Sequence, residues 1–246
     1  MKLLLLGTSG YRPNDRRQTA CLMLPTAGVV LDAGTAMYRV RDHLATDQLD
    51  ILLSHAHLDH VVGLTYLLDV LSVRPLRRVT VHGEADKLRA IDDHLFATLL
   101  FPVRPPVSTR PLAGDVILSD GGRVTHFTLR HPGGAVGFRL DWPNRSMAYV
   151  TDTTASPTAA YVDRIRGVDL LVHECHFRDG MSQQAYLTGH SCTTGVAEVA
   201  RRADVGRLVL VHIDPLATDA DPIGLDVARS VFAHTDLGAD NMVVDF

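Results

Sequence analysis

Lysine is nearly absent from this chain of 246 residues: only Lys2 and Lys87 occur, and arginine carries the rest of the positive charge. A formal net charge of −4 and a pI of about 6.3 argue against a broad basic surface for nucleic acid or for an anionic membrane. The arginines that remain matter differently, because a guanidinium grips phosphate with two parallel hydrogen bonds and an ammonium cannot. Cysteine is scarce as well. Cys21, Cys175 and Cys192 are odd in number and lack any Cys-x-x-Cys spacing, which excludes a disulfide framework and indicates a reducing compartment, hence the cytoplasm. Cys175 and Cys192 flank polar signatures described below, but a buried, inert thiol is the plainer role for each. No apolar stretch approaches the ~20 residues of a membrane span. The opening Met1–Gly7 is too short for a signal-peptide core and reads as a first strand. There is no repeat, low-complexity tract or linker, so residues 1–246 are expected to form one domain. A hydrophobic content of 46% is enough for a sizeable core.

Short apolar runs bounded by turn residues predict strands at Lys2–Leu6, Ala20–Leu24, Val29–Asp32, Asp50–Leu53 and Val79–His82. Helices are expected near Ala36–His43, Val61–Val73 and Glu84–Leu99. A second batch of strands follows at Asp115–Leu118, Arg123–Arg130, Ala135–Asp141, Met147–Val150, Asp169–Val172 and Arg207–Val211. Its helices are Thr158–Arg166, Thr193–Ala203 and Pro222–His234, with a closing strand at Asn241–Val244. Two sheets face to face, with helices outside, are the layers this order implies. Between the batches, Phe101–Pro111 has the pattern of neither helix nor strand, and its prolines stiffen it into a loop. That loop is expected either as a surface connection or as a wall of a substrate pocket. The loop Gly10–Gln18, with Arg12, Arg16 and Arg17, is a similar case.

The densest chemistry is Ser54-His55-Ala56-His57-Leu58-Asp59-His60, directly after the apolar run Leu49–Leu53 and before a helical pattern from Val61. A tight loop between strand and helix converges side chains that a regular element would point apart. In an extended segment His55 and His57 project to one side and can grip one ion, while Asp59 and His60 can reach a second. Imidazole nitrogen with carboxylate oxygen suits zinc, and also manganese or iron.

This segment resembles the defining His-x-His-x-Asp-His signature of the metallo-β-lactamase superfamily, and later signatures follow in order. Leu129–Arg139 is similar to the segment whose histidine, here His131, completes a first metal site. Tyr149-Val150-Thr151-Asp152-Thr153 is similar to the strand end whose aspartate bridges both metals. Val209-Leu210-Val211-His212 is similar to the strand end that closes the second site. Gly189-His190-Ser191-Cys192-Thr193-Thr194 resembles a signature of the ribonuclease Z-like phosphodiesterase branch. The resemblance implies a four-layer αββα sandwich and two divalent ions, with zinc expected and manganese or iron as alternatives. It assigns His55, His57 and His131 to one ion, Asp59, His60 and His212 to the other, and Asp152 to both. In that branch a His-Glu pair stands where His173-Glu174 stand here, and the glutamate orients the catalytic histidine. Glu174 and His190 are therefore the implied pair, although Cys175-His176 replaces the branch's usual Ala-Thr.

Two departures narrow the branch. Class B β-lactamases place a cysteine where this chain has Asp152. Ribonuclease Z itself inserts a long, tRNA-gripping arm between the positions of His131 and Asp152, and here these lie 152 − 131 = 21 residues apart. The expected reaction is thus hydrolysis of a small or cyclic phosphodiester by a hydroxide shared between the metals. Asp59 would accept a hydrogen bond from that hydroxide, and His190 would serve the leaving oxygen. A lactonase or thioesterase, and an arylsulfatase-type esterase, are the alternatives on the same fold. Ribonuclease Z and a catalytically silent metal-binding protein are more remote. Arg12, Arg17, Arg104 and Arg110 are the candidate phosphate contacts. The expected partners are a small phosphodiester and, at most, a second copy in a homodimer, with neither membrane nor nucleic acid.

Overall fold

A strand with an unbroken run of apolar residues must bury both faces. β1 (Lys2–Gly7) does so: Leu3 and Leu5 point to one side, Leu4 and Leu6 to the other, and all four are buried. The computed structural model describes residues 1–246. After β1 come β2 (Cys21–Leu24), β3 (Val29–Leu31), β4 (Gln48–Leu52), β5 (Arg78–Gly83) and β6 (Ser108–Pro111). Next are β7 (Val116–Ile117), β8 (Arg123–Leu129), β9 (Ala135–Trp142), β10 (Arg145–Val150), β11 (Leu170–Glu174), β12 (Arg207–Val211), β13 (Thr235–Leu237) and β14 (Met242–Asp245). They form two seven-stranded sheets, ordered β14-β1-β2-β3-β4-β5-β6 and β13-β12-β11-β10-β9-β8-β7. The last strand returns to the first sheet, pairing Leu3 with Val244.

The two inner faces meet in a core that includes Leu5, Leu31 and Leu52 from one sheet and Phe138, Tyr149, Val172 and Val209 from the other. Each outer face packs on helices. α1 (Leu58–Val61), α2 (Leu67–Val73) and α3 (Ala85–Ala90) cover the first sheet through residues such as Leu67, Val70 and Leu88. α4 (Tyr161–Arg164), α6 (Thr193–Arg202) and α7 (Leu225–Val231) cover the second through Val162, Val196, Val199 and Ala228, and α5 (Ser182–Thr188) lies nearer the surface. The result is the expected αββα sandwich. Truncating an inner leucine such as Leu5 to alanine would cost about 2–5 kcal/mol.

Several boundaries differ from the sequence expectation, each for a local reason. The helix expected over Val61–Val73 is broken into α1, a 3₁₀ turn at Val62–Tyr66 and α2. Gly63 N–H donates to Ala33 O at 2.8 Å and so leaves the helical ladder, and a Cβ there would meet Gly34 O at 2.2 Å. Ser108–Pro111, expected as loop, adds to the sheet as an exposed parallel edge beside β5, a position where proline is tolerated. α5 and β13 had no expected counterpart. No helix is long and apolar enough to cross a membrane.

The strand directions decide where chemistry can gather. β3, β4 and β5 are parallel, as are β10, β11 and β12. β8 runs with β10, because each is antiparallel to β9. The segments that follow β3, β4, β8, β10, β11 and β12 therefore leave the sandwich at its carboxyl-terminal edges, where open α/β sheets place their sites.

Candidate metal centre and active site

Tight reversals at these strand ends put several polar residues in left-handed backbone conformations. Asp32, Asp152 and His212 have φ of 57°, 37° and 58°. Such strain persists only where surrounding structure enforces it, and it clusters at functional sites.

The seven side chains expected as ligands converge into two sets. In the first, His57 Nδ1 lies 3.2 Å from His131 Nε2, and Asp152 Oδ2 lies 3.5 Å from both His131 Nε2 and His55 Nε2. In the second, His60 Nε2 lies 3.2 Å from His212 Nε2 and 3.3 Å from Asp59 Oδ2. Asp152 Oδ1 completes that set, 3.4 Å from His60 Nε2 and 3.2 Å from His212 Nε2. One carboxylate thus offers a different oxygen to each set. Atoms about 2.0–2.1 Å from a tetrahedral zinc stand roughly 3.3–3.4 Å apart, so both sets have the dimensions of an ion's coordination shell. His55 Nε2, buried and aimed into the first set, has no hydrogen-bond partner. A dication fits this donor chemistry.

A hydrogen-bonded frame behind the sets fixes which nitrogen each ring presents. His60 Nδ1–H donates to Asp32 Oδ2 at 2.9 Å, which leaves Nε2 as a lone-pair donor. Asp32 also accepts from Ser54 N–H and Ser54 Oγ at 2.8 Å each and from Tyr149 Oη at 2.9 Å. With its own proton given to Asp32, Ser54 Oγ accepts from His55 Nδ1 at 3.0 Å. His131 Nδ1–H donates to Gly189 O at 3.0 Å. Asp59 Oδ2 is held by Tyr11 N–H at 2.8 Å. Gly10, next to Tyr11, has no room for a side chain, since a Cβ would stand 2.4 Å from the His212 ring.

Electrostatics divide the rings in the same way. Burial, aided by His60, holds His55 well below the usual histidine range, and burial with His131 lowers His57. Both shifts favour the neutral ring that metal ligation requires. Burial alone would lower His60 and His212, yet Asp152 and Asp59 outweigh it and raise both. The reciprocal effect of His212 and His60 on Asp152, and of His60 on Asp59, overcomes burial and keeps each carboxylate well below its ordinary range.

His190 stands beside both sets. Its ring stacks on His176 at 4.6 Å and 19°, and its centroid is 5.2 Å from those of His131 and His212. Burial and then His212 keep it neutral. Its Nδ1 is 3.8 Å from Glu174 Oε2, beyond hydrogen-bond reach. Glu174 is fully buried, which pushes its carboxyl up to about 8 against the opposing pull of His212. Glu174 instead accepts from His176 N–H at 3.0 Å. His176, left open by the sequence between pocket and solvent, is a pocket residue whose Nδ1–H donates to His212 O at 3.1 Å.

Sequence reasoning missed Asp32, Tyr149 and the Tyr11 amide. The one available signal for Asp32 was a charged residue closing an apolar strand. The candidate arginines fare differently. Arg17 is committed to Thr8 Oγ1 and Gly238 O, and Arg104 pairs with Asp92, so neither is free for phosphate. Arg110 sits exposed in β6, and Arg12 adjoins Tyr11 at the rim. The Phe101–Pro111 loop divides between two concavities, Phe101 sharing one with Pro13 and Gln18. Its Arg104, Pro105 and Val107 line a separate cavity of about 180 Å³ with Leu88 and Phe96.

A family model described as "Beta-lactamase superfamily domain" matches residues 28–213. Ribonuclease Z of Archaeoglobus fulgidus is 26% identical over an alignment covering 99% of this chain and 97% of that protein. That alignment runs over 302 positions against 246 residues here, so the relative carries segments this chain lacks. Among solved structures, the metallo-β-lactamase fold protein YhfI of Bacillus subtilis superposes with a TM-score of 0.80 at 18% identity, covering 99% of both chains. A diphosphatase of the PhnP family superposes with a TM-score of 0.75 at 18% identity, covering 100% of this chain and 97% of that one.

Proposed function

The chain belongs to the β-lactamase superfamily, and on that premise we propose that it hydrolyses small or cyclic phosphodiesters at a pair of divalent ions. Membership makes it a metal-dependent hydrolase. The observation that carries the dinuclear reading is Asp152, whose Oδ2 faces His55 and His131 while its Oδ1 faces His60 and His212. His57 completes the first site and Asp59 the second. Zinc suits the nitrogen-rich first set, and manganese or iron would also accept it.

Bound there, two dications would place Lewis-acid charge on the phosphoryl oxygens and lower the pKa of an attacking water from about 15.7 toward neutrality. The chain's own groups supply the rest. Asp59, anchored by Tyr11 N–H, keeps a carboxylate oxygen facing the second set, where it can accept the water's hydrogen bond. His190 is held neutral and is therefore suited to donate an N–H to the developing charge on the leaving or equatorial oxygens. His176 fixes its ring plane by stacking. The frame through Asp32 holds His55 and His60 before substrate arrives, so no reorganisation is required during the reaction.

The small-substrate reading is supported by the stretch between His131 and Asp152. A two-strand hairpin, β9 and β10, joined at Pro143-Asn144, fills it, with no projecting arm. The curated relatives favour a second reading, ribonuclease Z-type cleavage of RNA. One assay separates these readings from each other and from carbonyl chemistry. Metal-loaded protein is offered bis(p-nitrophenyl) phosphate, a lactone panel, a thioester and precursor tRNA at low and moderate salt. Phosphodiester hydrolysis with little salt dependence is expected. Specific tRNA 3′-end cleavage at submicromolar enzyme, falling steeply with salt, would overturn the small-substrate reading. Turnover of the lactones or the thioester alone would overturn phosphodiester chemistry.

A further inference from the structure

A second concavity opens beside the metal centre, and the ligand-bearing strand ends build it. Leu129 and Arg130 immediately precede His131, and Thr153 and Thr154 immediately follow Asp152; together with Tyr161 and Tyr186 they line a groove of about 720 Å³. The two strand ends are tied together, since Arg130 N–H donates to Thr153 Oγ1 at 3.3 Å. The third wall is α5, which carries Tyr186 and ends at Gly189, the residue whose carbonyl holds His131. The groove is therefore one residue, at ~3.8 Å per Cα step, from two groups of the centre, His131 and Asp152, while Tyr186 on its third wall lies four residues before His190.

Its chemistry is specific. Arg130 is the one charged residue in the lining, and no carboxylate pairs with it. Its guanidinium lies 4.2 Å from the centroid of the Tyr186 ring, which holds it flat, and its nearest side-chain acceptor is Thr154 Oγ1 at 3.5 Å. Tyr186 itself is 59% exposed. The groove's apolar lining is Leu129, Ala159, Ala160 and Tyr161, the last 4% exposed and fixed because its hydroxyl is spent on His173 Nε2 at 3.0 Å and its ring stacks on Phe127. An apolar lining, a planar cation on an exposed aromatic and hydroxyls at the edge suit a flat ring with hydrogen-bond acceptors on its rim. A lone anion would leave most of this volume and the apolar lining unused.

We propose that this groove is a nucleobase subsite, in which the base of a nucleotide ester stacks on the Arg130–Tyr186 pair while its phosphate lies at the metal centre. The proposal rests on the phosphodiesterase reading for the placement of that phosphate. Specificity for nucleotide esters would then come from Tyr186 and Arg130, and the chemistry from the ligand sets.

The test compares two esters with the same leaving group, the p-nitrophenyl ester of thymidine 5′-phosphate and methyl p-nitrophenyl phosphate. Wild type should prefer the nucleoside ester. Tyr186→Ala and Arg130→Ala should each lower the ratio of the two kcat/KM values by about 5- to 100-fold, the scale of a lost base stack, and Tyr186→Phe should retain it. An unchanged ratio in Tyr186→Ala would overturn the subsite while leaving the phosphodiesterase reading intact. If wild type hydrolyses neither ester, that reading fails, and calorimetry decides the subsite alone. Adenosine 5′-monophosphate should bind more tightly than ribose 5-phosphate, with the difference lost in Tyr186→Ala, and equal binding of the two would overturn the proposal.

Discussion

Replacing Asp32 by asparagine should loosen the metal centre without touching a ligand. Asp32 is fully buried, with Oδ1 accepting from Ser54 N–H and Oδ2 accepting from Ser54 Oγ, His60 and Tyr149. An asparagine can keep its carbonyl at the Oδ2 position, but its amide then opposes the Ser54 N–H, donor against donor. One stranded buried donor costs about 1–3 kcal/mol, and three bonds lose their charge assistance, so a total on the order of 4 kcal/mol is expected in stability. His60 meanwhile keeps an acceptor for Nδ1–H but loses the negative charge that raises the basicity of its Nε2, which should weaken metal binding by roughly 10- to 100-fold. The first quantity is read by denaturant unfolding of the metal-free protein, the second by competition with a chromophoric chelator. Tyr149→Phe is the control: it removes one donor to Asp32, should cost about 1 kcal/mol, and should leave metal affinity within roughly threefold. Ser54→Ala, which cuts the link from Asp32 to His55, probes the same frame if the asparagine variant does not fold. Folded Asp32→Asn protein that binds both metal equivalents with wild-type affinity would refute the reasoning.

His190→Ala should leave metal content intact and lower turnover by roughly 100- to 10,000-fold, with a smaller loss for p-nitrophenyl esters than for alkyl esters; loss of metal would make His190 a ligand. Gly10→Ala should displace His212, because the added Cβ meets its ring at 2.4 Å, and so lower occupancy of the second site more than the first by elemental analysis. His173 is fully buried, and burial lowers it to about 4 from its ordinary 6.5. A depressed folded-state value means the neutral ring's stability is present above pH 6.5 and is lost as pH falls toward 4, a loss of about 3 kcal/mol in all. Denaturant unfolding of metal-free wild type and His173→Asn across this window should show that the variant lacks this part of the acid slope, and parallel slopes would contradict it.

The convergence of the candidate ligands was legible because each is an exceptional residue at the end of an apolar run, and strand ends at one sheet edge must meet. The layers were legible from the strength of apolar patterning: β4, β11 and β12 bury both faces, and their sequences leave little choice. The frame was not legible. Asp32 acquires meaning only when β3 pairs with β4, Leu31 opposite Leu52, and when the second sheet delivers Tyr149 from the far side of the core. α5 escaped notice because Ala185 is its one buried residue, so it has no apolar stripe to read. β6 is a fully exposed edge ending in proline, which lacks every strand signal. Arg17 and Arg104 resembled phosphate contacts by charge alone; Arg17 is held by Thr8 and by Gly238, 9 and 221 residues away in sequence, and Arg104 by Asp92, 12 residues away.

Metal stoichiometry tests the central claim most directly. Wild-type protein and Asp152→Ala are stripped, reloaded with zinc or manganese, desalted and measured by elemental analysis against protein concentration. Two equivalents per chain are expected for wild type, with both occupancies lowered in Asp152→Ala, because one carboxylate serves both sets. A wild-type value that stays at one equivalent after reloading, or an Asp152→Ala protein that keeps one site at full affinity, would contradict a shared dinuclear centre.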